Sequence, residues 1–197
     1  MKNIIIIFTI LTLILILRTE IIAESIDAQI LRAIHIERNT NLDGLMKGIT
    51  NSPCIILPAV PIGLFINYKV CDCKDKLYNS INIGSSIVIT TATSLILKEI
   101  IKEQRPYKRY DFIENITNPS GYSMPSMHAA TAFSLATSVT LIEPKYYIII
   151  PAYLWASLVA YSRLHLGVHT FSDVIVGATV GTGISIVTNY MIKSIIK

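Results

Sequence analysis

Residues 171–192 read FSDVIVGATVGTGISIVTNYMI and contain one charged side chain, Asp173, near the start. A helix that crosses a lipid bilayer needs about 20 consecutive apolar residues, so this stretch predicts a membrane-spanning helix. Gly177 and Gly181, with Gly183 close by, follow the small-residue spacing that lets two helices approach closely. We expect this face to pack against another helix of the same chain rather than against a second copy.

Four further apolar stretches lie upstream, at about residues 53–69, 81–99, 126–142 and 146–162. The chain of 197 residues is 52% hydrophobic and only 15% charged, whereas soluble domains carry roughly 25% charged residues. We therefore predict an all-α fold, an integral membrane helical bundle with five spans. The net charge of +4 comes without a basic stripe interleaved with aromatic residues, which argues against a nucleic-acid partner.

Residues 1–23 have the pattern of a secretory signal peptide: a basic head, an apolar core over residues 4–17 and a small residue, Ala23, for cleavage. The apolar core is shorter than a spanning helix requires. The alternative is an uncleaved sixth span. Either arrangement leaves residues 24–50 on the outer side of the membrane and makes residues 24–197 one membrane domain.

Residues 24–50 have the pattern of two short amphipathic helices. Their apolar side chains recur at helical spacing: Ile26, Ile30, Leu31, Ile34, Leu42, Leu45, Met46 and Ile49. Such a pattern is typical of helices that lie in the membrane interface, ahead of a helical bundle over residues 53–197. We expect His35 to be a surface or interface residue of this segment.

The three cysteines are Cys54, Cys71 and Cys73. Their odd number and their spacing predict neither a disulfide framework nor a zinc site. Cys71 and Cys73 fall in a short loop that we place on the cytoplasmic side, where thiols stay reduced.

Three short motifs carry the residues that suit phosphate chemistry. They are Lys98 to Pro106 in the pattern K-x6-R-P, Pro125-Ser126-Met127-His128, and Ser162-Arg163 followed by His169 and Asp173. The first follows one predicted span, the second opens the next, and the third joins the last two, so alternating spans place all three on one face. We expect the outer face, because residues 24–50 lie outside, and lysines of the opposite face agree with the positive-inside rule: Lys69, Lys74, Lys76, Lys145, Lys193 and Lys197. The outer face also holds six basic residues between Lys98 and Arg163, three of them in the motifs, so charge alone does not settle the orientation.

Each motif has a physical use. The planar fork of Arg105 suits two phosphate oxygens, and Lys98 adds a point charge; the two share one face if their helix continues as far as Pro106. A helix that begins at Ser126 offers free amides to an anion. His169 and Asp173 are four residues apart, so on a helix a carboxylate fixes the tautomer of a candidate nucleophile.

The three motifs together resemble the signature of the type-2 phosphatidic acid phosphatase superfamily, which includes the vanadium haloperoxidases, over roughly residues 81–185. The resemblance implies that His169 attacks phosphorus and forms a phosphohistidine, that Asp173 orients it, and that His128 protonates the leaving group. It also implies a phosphate-binding set without a metal or other cofactor: Lys98, Arg105, Ser126, the amide of Met127, and Arg163.

Met127 departs from the family pattern, which has glycine at this position. Methionine can still offer its amide, but its side chain is expected to narrow the pocket or alter substrate choice. The departure also leaves open a different class of function, a catalytically impaired member that binds lipid without turnover.

We predict a phosphoric monoester hydrolase of a bacterial inner membrane, with its site facing the periplasm and a membrane lipid phosphate as its partner. Family analogy makes lipid A phosphate the first candidate substrate. Undecaprenyl pyrophosphate, which is a lipid diphosphate, comes next, followed by phosphatidylglycerophosphate and phosphatidic acid. The oligomeric state is not predicted.

Two further hypotheses concern the same region. His165, His169 and Asp173 fall at i, i+4 and i+8, a spacing that could present metal ligands on one helix face, although the neighbouring cations favour an anion instead. Lys108 and Arg109 lie in the loop between the first two motifs, where they could read the rest of an anionic headgroup.

Overall fold

The computed structural model describes residues 26–196, so the predicted signal peptide at residues 1–23 lies outside the described part. Helix α1 covers residues 26–31 and continues into a π-helical turn, Arg32–Ile36, and a 3-10 turn, Thr40–Leu42. The remaining helices are α2 Asp43–Asn51, α3 Pro53–Cys71, α4 Lys74–Ile101, α5 Pro106–Arg109, α6 Met127–Ile142, α7 Tyr146–His165 and α8 Phe171–Ile196. No strand occurs among these described residues, and the predicted all-α class is confirmed.

Five of these helices, α3, α4, α6, α7 and α8, occupy the five predicted spans. Within the described part of the chain, four stretches are long and apolar enough to cross a membrane, and α6, at 16 residues, is a shorter apolar helix. The chain is therefore a multi-pass membrane protein. Helix α4 begins at Lys74, ahead of the predicted start at residue 81, and its polar first turns contact two other helices: Tyr78 donates to Asn189 of α8 at 3.5 Å and Ser80 to the Pro61 carbonyl of α3 at 2.7 Å.

Apart from Ile83, the buried side chains of helix α4 are polar, and most of its large apolar side chains are exposed. Its buried face, at intervals of four residues, consists of Asn82, Ser86, Thr90, Ser94 and Lys98. Large apolar side chains such as Ile96 point outward. This inversion is expected in lipid, where apolar surface needs no shelter and small polar residues join helices. Across the bundle, the Ser134 hydroxyl lies 3.1 Å from that of Thr90 and 2.8 Å from that of Ser185, linking α4, α6 and α8.

The small residues of α8 lie against α6 of the same chain. A Cβ atom added at Gly177 would come within 2.5 Å of the Ser126 carbonyl oxygen, and one added at Gly181 would overlap the Ala130 carbonyl. The predicted packing within the chain is therefore confirmed for these two residues, whereas Gly183 faces open space. This close approach also joins the starts of the two helices, since the Ser126 amide donates to the Asp173 carbonyl at 2.9 Å.

Helix α4 ends earlier than the first motif suggested. Lys102 adopts a left-handed conformation with φ of 56°, which stops the helix at Ile101, and Pro106 opens the short helix α5 instead of closing α4. The expectation that Lys98 and Arg105 share one helix face is therefore wrong. Arg105 lies in an extended residue after the turn and reaches the site by a reversal of the chain.

The cysteines also depart from expectation. Cys71 and Cys73 are paired as a disulfide, while Cys54 is free and exposed. Asp72, between the pair, is left-handed with φ of 53°, and this bend brings the two Cα atoms to 5.2 Å, within reach of a disulfide.

Candidate functional site

The three motifs meet at one end of the bundle, called the site end here, where α4 and α7 finish and α6 and α8 begin. A cavity of about 430 Å³ opens there. Six of the eight predicted site residues line it: Lys98, Arg105, Met127, His128, Arg163 and His169. Asp173 and Ser126 are fully buried behind this layer. The cavity thus gathers three cations and two imidazoles contributed by separate helices and turns.

His169 lies in the turn between α7 and α8, with 2% of its surface exposed. Its Nδ1 atom is 3.3 Å from Asp173 Oδ2, and its Nε2 atom is 2.9 Å from Arg105 Nη1. Arginine has only donors, so Nε2 is the unprotonated acceptor and Nδ1 carries the proton that Asp173 accepts. Burial lowers the pKa of His169 to about 3, while the Asp173 carboxylate opposes that shift. The ring is therefore neutral, with its lone pair on Nε2.

Three hydrogen-bond donors hold the Asp173 carboxylate. Its Oδ2 atom accepts from the Ser123 hydroxyl at 2.5 Å and from the Thr170 amide at 2.8 Å, in addition to His169. The Ser123 hydroxyl also lies 3.3 Å from His169 Nδ1. Ser123 was not predicted, because it belongs to none of the motifs and its placement depends on the loop after α5.

Lys98 and Arg105 fasten that loop over the cavity. Lys98 Nζ donates to the carbonyls of Tyr122 at 2.6 Å and Ser123 at 2.8 Å. Arg105 donates to the carbonyls of Ser120 at 2.9 Å and Gly121 at 3.2 Å. Lys98 and Arg105, which are predicted to hold phosphate, therefore also position the loop at residues 119–123. The sequence predicted no role for Pro119, Ser120 or Gly121 in this loop.

Arg163 has a different set of partners. Its Nη1 atom donates to the Thr50 hydroxyl of α2 at 2.6 Å, while its buried Nε has no hydrogen-bond partner within the described part of the chain. Arg163 is thus anchored from behind and keeps an N–H donor for a ligand. Thr50 was missed by sequence reasoning, since it lies in the amphipathic segment and 113 residues from its partner.

The first turn of α6 separates the main cavity from a smaller pocket. Met127 and His128 line both spaces, and the smaller one, of about 140 Å³, is completed by Pro53, Cys54, Leu57, Thr91 and Thr131. Ser126 precedes the first turn of α6, but its side chain does not cap the helix; its hydroxyl is buried and has no hydrogen-bond partner among the described residues. The Met127 side chain therefore occupies the boundary that a glycine would leave open.

The metal-site arrangement along one helix face is not formed. Helix α7 ends at His165, whose Nε2 atom lies 2.8 Å from Asp43 Oδ1, whereas His169 turns to Asp173. Within residues 26–196, no group of three His, Cys, Asp or Glu side chains is placed to hold a metal ion. Lys108 and Arg109, which the sequence placed in a loop, lie in the short helix α5, where Lys108 is exposed and Arg109 forms an ion pair with Glu103.

The three motifs fall within the region of the chain that matches a known family. A model of the PAP2 superfamily matches residues 79–197, more than half of the chain and all three motifs. The chain is 35% identical over 78 residues to the lipid A 4'-phosphatase of Bacteroides thetaiotaomicron, covering 40% of this chain and 35% of that protein. It is 34% identical over 108 residues to the undecaprenyl-diphosphatase of Sulfolobus acidocaldarius, covering 52% of each. The matches thus span about a third to a half of these relatives.

A solved structure extends the likeness to most of the fold. The crystal structure of a transmembrane PAP2 type phosphatidylglycerolphosphate phosphatase from Bacillus subtilis superposes with a TM-score of 0.69 at 25% sequence identity, covering 87% of both chains. The likeness therefore includes helices that precede residue 79, where the family match begins.

Proposed function

Because this chain belongs to the PAP2 superfamily, we propose that it removes phosphate from a membrane lipid by metal-independent hydrolysis through a phosphohistidine intermediate. One observation carries the proposal: the unprotonated Nε2 atom of His169 lies at a cavity lined by Lys98, Arg105 and Arg163. A nucleophile beside several cations suits phosphoryl transfer, which needs positioning and charge neutralisation more than covalent help from the protein.

In the first step, His169 Nε2 attacks phosphorus, a P–N bond forms and the P–O bond to the lipid breaks. His128, which lines the same cavity, gives a proton to the departing oxygen. Asp173 keeps the Nδ1 proton of His169 in place as positive charge develops on the ring. In the second step, His128 accepts a proton from water, water attacks phosphorus, the P–N bond breaks, and phosphate and neutral His169 are regenerated.

Phosphate binding requires Arg105 to exchange a hydrogen-bond partner. Arg105 Nη1 now donates to His169 Nε2, so it has to pass this donor to a phosphate oxygen before the lone pair can attack. Arg163 needs no such exchange, because its Nε has no partner in the described residues. We expect Arg163 to hold the incoming phosphate first and Arg105 to join as the nucleophile is released.

Lipid A phosphate is our first candidate substrate, and the similarity to a lipid A 4'-phosphatase supports it. Phosphatidylglycerophosphate is a second candidate, favoured by the likeness of the whole fold to a phosphatase named for that lipid. Undecaprenyl diphosphate is a third. We further propose that the site end faces the periplasm of a bacterial inner membrane, the side on which the predicted signal peptide would leave residues 24–50; Lys69, Lys74 and Lys145 lie at the opposite ends of the spans.

Phosphate release by the purified full-length protein in detergent micelles tests the proposal. The panel contains lipid A, phosphatidylglycerophosphate, undecaprenyl diphosphate and phosphatidic acid, with wild type beside His169→Ala and, as a control, Lys74→Ala at the opposite end of α4. We expect release from one lipid, abolished in His169→Ala, inhibited by vanadate and unchanged by a chelator. Loss of activity in chelator that zinc restores would contradict the mechanism, and silence on every lipid would favour a lipid-binding protein without turnover.

A further inference from the structure

His35 is the most deeply buried ionisable side chain of the amphipathic segment before α3. Only 1% of its surface is exposed, contrary to the surface position expected from the sequence. The segment lies outside residues 79–197, where the family match falls. His35 nevertheless packs directly behind the turn that carries His169, so a part of the chain beyond the matched region contacts the site.

Both ring nitrogens of His35 are engaged by backbone groups of two different loops. Nε2 accepts from the Glu114 amide at 3.1 Å, and Nδ1 donates to the His165 carbonyl at 2.9 Å. An amide can only donate and a carbonyl can only accept, which fixes the neutral tautomer with its proton on Nδ1. Burial lowers the pKa of His35, with the bond to His165 opposing the shift, and this agrees with a neutral ring.

The His35 ring also determines how the turn after α7 can fold. Gly167 has φ of 67°, and a Cβ atom added there would come within 2.7 Å of His35 Cε1 and 2.9 Å of His35 Nδ1. The ring therefore fills the space that any larger residue at Gly167 would need. His35 thus holds the turn by a hydrogen bond at His165 and packs against it at Gly167.

The pinned turn continues directly into the site. Val168, the residue after Gly167, accepts from Arg105 Nη1 at 3.1 Å, and the same nitrogen donates to His169 Nε2 at 2.9 Å. A displacement of the turn would move the Val168 carbonyl, the Arg105 fork and the His169 ring together. In well-oriented active sites a misplacement of about 1 Å can lower the rate about 10²-fold.

We propose that His35 is a positioning residue for phosphoryl transfer: it holds the 165–168 turn so that the Nε2 atom of His169 meets phosphorus in line. The inference rests on the proposed function, because it assigns His169 as the nucleophile. His35 itself touches no reacting atom. It acts through the backbone of the turn.

Charged neighbours keep the His35 ring in place. Arg38 donates to the His35 carbonyl at 2.7 Å and pairs with Glu114 at 2.7 Å and with Asp43 at 3.3 Å. His165 in turn contacts Asp43 at 2.8 Å. The Glu114 side chain is 72% exposed, so its ion pair contributes little, whereas the buried bonds of the His35 ring are costly to lose.

Three substitutions separate the two ring bonds. His35→Ala removes both. The amide nitrogen of asparagine comes close to the position of Nδ1, so His35→Asn can keep the bond to His165. The longer glutamine can place its amide oxygen near the position of Nε2, where it can accept from the Glu114 amide, so His35→Gln favours the bond to Glu114. Glu114→Gln is the matched control, because it removes the exposed ion pair with Arg38 and leaves the Glu114 amide in place.

The experiment measures kcat and KM for phosphate release, per mole of folded protein, and the vanadate dissociation constant by calorimetry. We expect His35→Ala to lower kcat and kcat/KM together by about 10²-fold, with KM unchanged, as for an interaction that matters in the transition state. His35→Asn should restore most of kcat, His35→Gln little of it, and Glu114→Gln should match wild type. Vanadate binding should weaken in the same order.

Wild-type kcat per folded site in His35→Ala would overturn the proposal. If that variant does not fold, the asparagine and glutamine variants decide, and a glutamine variant as active as the asparagine one would overturn it. A loss confined to KM would also overturn it. Wild-type protein that hydrolyses no lipid would contradict the proposed function alone, and equal vanadate affinity in wild type and His35→Ala would then still overturn the positioning role.

Discussion

Arg105 Nη1 lies 2.9 Å from His169 Nε2, so the candidate nucleophile and a candidate phosphate ligand are hydrogen-bonded to each other before any substrate arrives. The contact requires an unprotonated Nε2 with a free lone pair, because the Arg105 guanidinium is always protonated and can only donate. Under the proposed mechanism Arg163 meets the phosphate first, and Arg105 then exchanges His169 for a phosphate oxygen, which releases the nucleophile.

This relationship predicts a large effect for Arg105→Ala. The substitution removes a donor from the transferring phosphoryl group, and we expect kcat for phosphate release to fall about 10²–10³-fold, as when one oxyanion donor is lost. Arg105→Lys should recover only part of that loss, because an ammonium keeps the charge but not the planar fork. Lys74→Ala, at the far end of α4, serves as the control. Equal kcat in Arg105→Ala and in wild type would contradict the exchange.

We expect substitution of Met127 to change substrate preference and not the chemical step. Its side chain lines both the main cavity and the 140 Å³ pocket beside His128, so Met127→Gly should join the two spaces. We expect kcat/KM for bulky lipid phosphates to rise relative to that for a small soluble phosphate monoester. The helix start should lose about 1 kcal/mol of stability on gaining a glycine.

Met127→Ala is the matched control for that variant, since it shortens the side chain without freeing the backbone. A shift in substrate preference shared by both variants would assign the effect to space, and one confined to glycine would assign it to the backbone. The prediction fails when the ratio of kcat/KM values is the same in all three proteins.

The sequence predicted the parts of the site that lie on helices. The five spans were placed to within a few residues except at the start of α4, and alternation of the spans brought the three motifs to one end. Lys98, Arg163 and His128 line the cavity because helices carry them there in a fixed register. Periodicity and sidedness are local properties, so a single chain reveals them.

The supporting contacts were not predictable, because they join residues far apart in the chain or depend on a turn that carries no periodic signal. Lys102 stops α4 in a left-handed conformation that usually favours glycine, so nothing in its side chain marks the helix end. Ser123 reaches Asp173 across 50 residues and His35 reaches His165 across 130. Contacts at such separations follow from the finished fold and not from any pattern along the chain.

We expect substitution of Thr50 to change the affinity for phosphate, because the Thr50 hydroxyl accepts the hydrogen bond that orients Arg163. Thr50→Val keeps the shape and removes the acceptor, which leaves a buried guanidinium donor unpaired at a cost of roughly 1–3 kcal/mol. We expect the vanadate dissociation constant to rise about tenfold, as about 1.4 kcal/mol would give. Thr50→Ser keeps a hydroxyl and should bind vanadate like wild type. Calorimetry on the three proteins measures this, and a valine variant with wild-type affinity would leave Arg163 independent of α2.

The buried imidazole of His169 predicts how stability depends on pH. Its folded pKa is about 3, below the ordinary value of 6.5, because burial disfavours the charged ring. Between these values the unfolded chain binds a proton at this site that the folded protein does not. The contribution of His169 to stability is therefore fully present above about pH 6.5 and is lost progressively as the pH falls from there through the folded pKa of about 3. We expect the thermal unfolding midpoint in detergent to decrease from about pH 7 to about pH 5. In His169→Asn, which cannot titrate, the decrease should be smaller; an unchanged slope in that variant would show that His169 is not neutral in the folded protein.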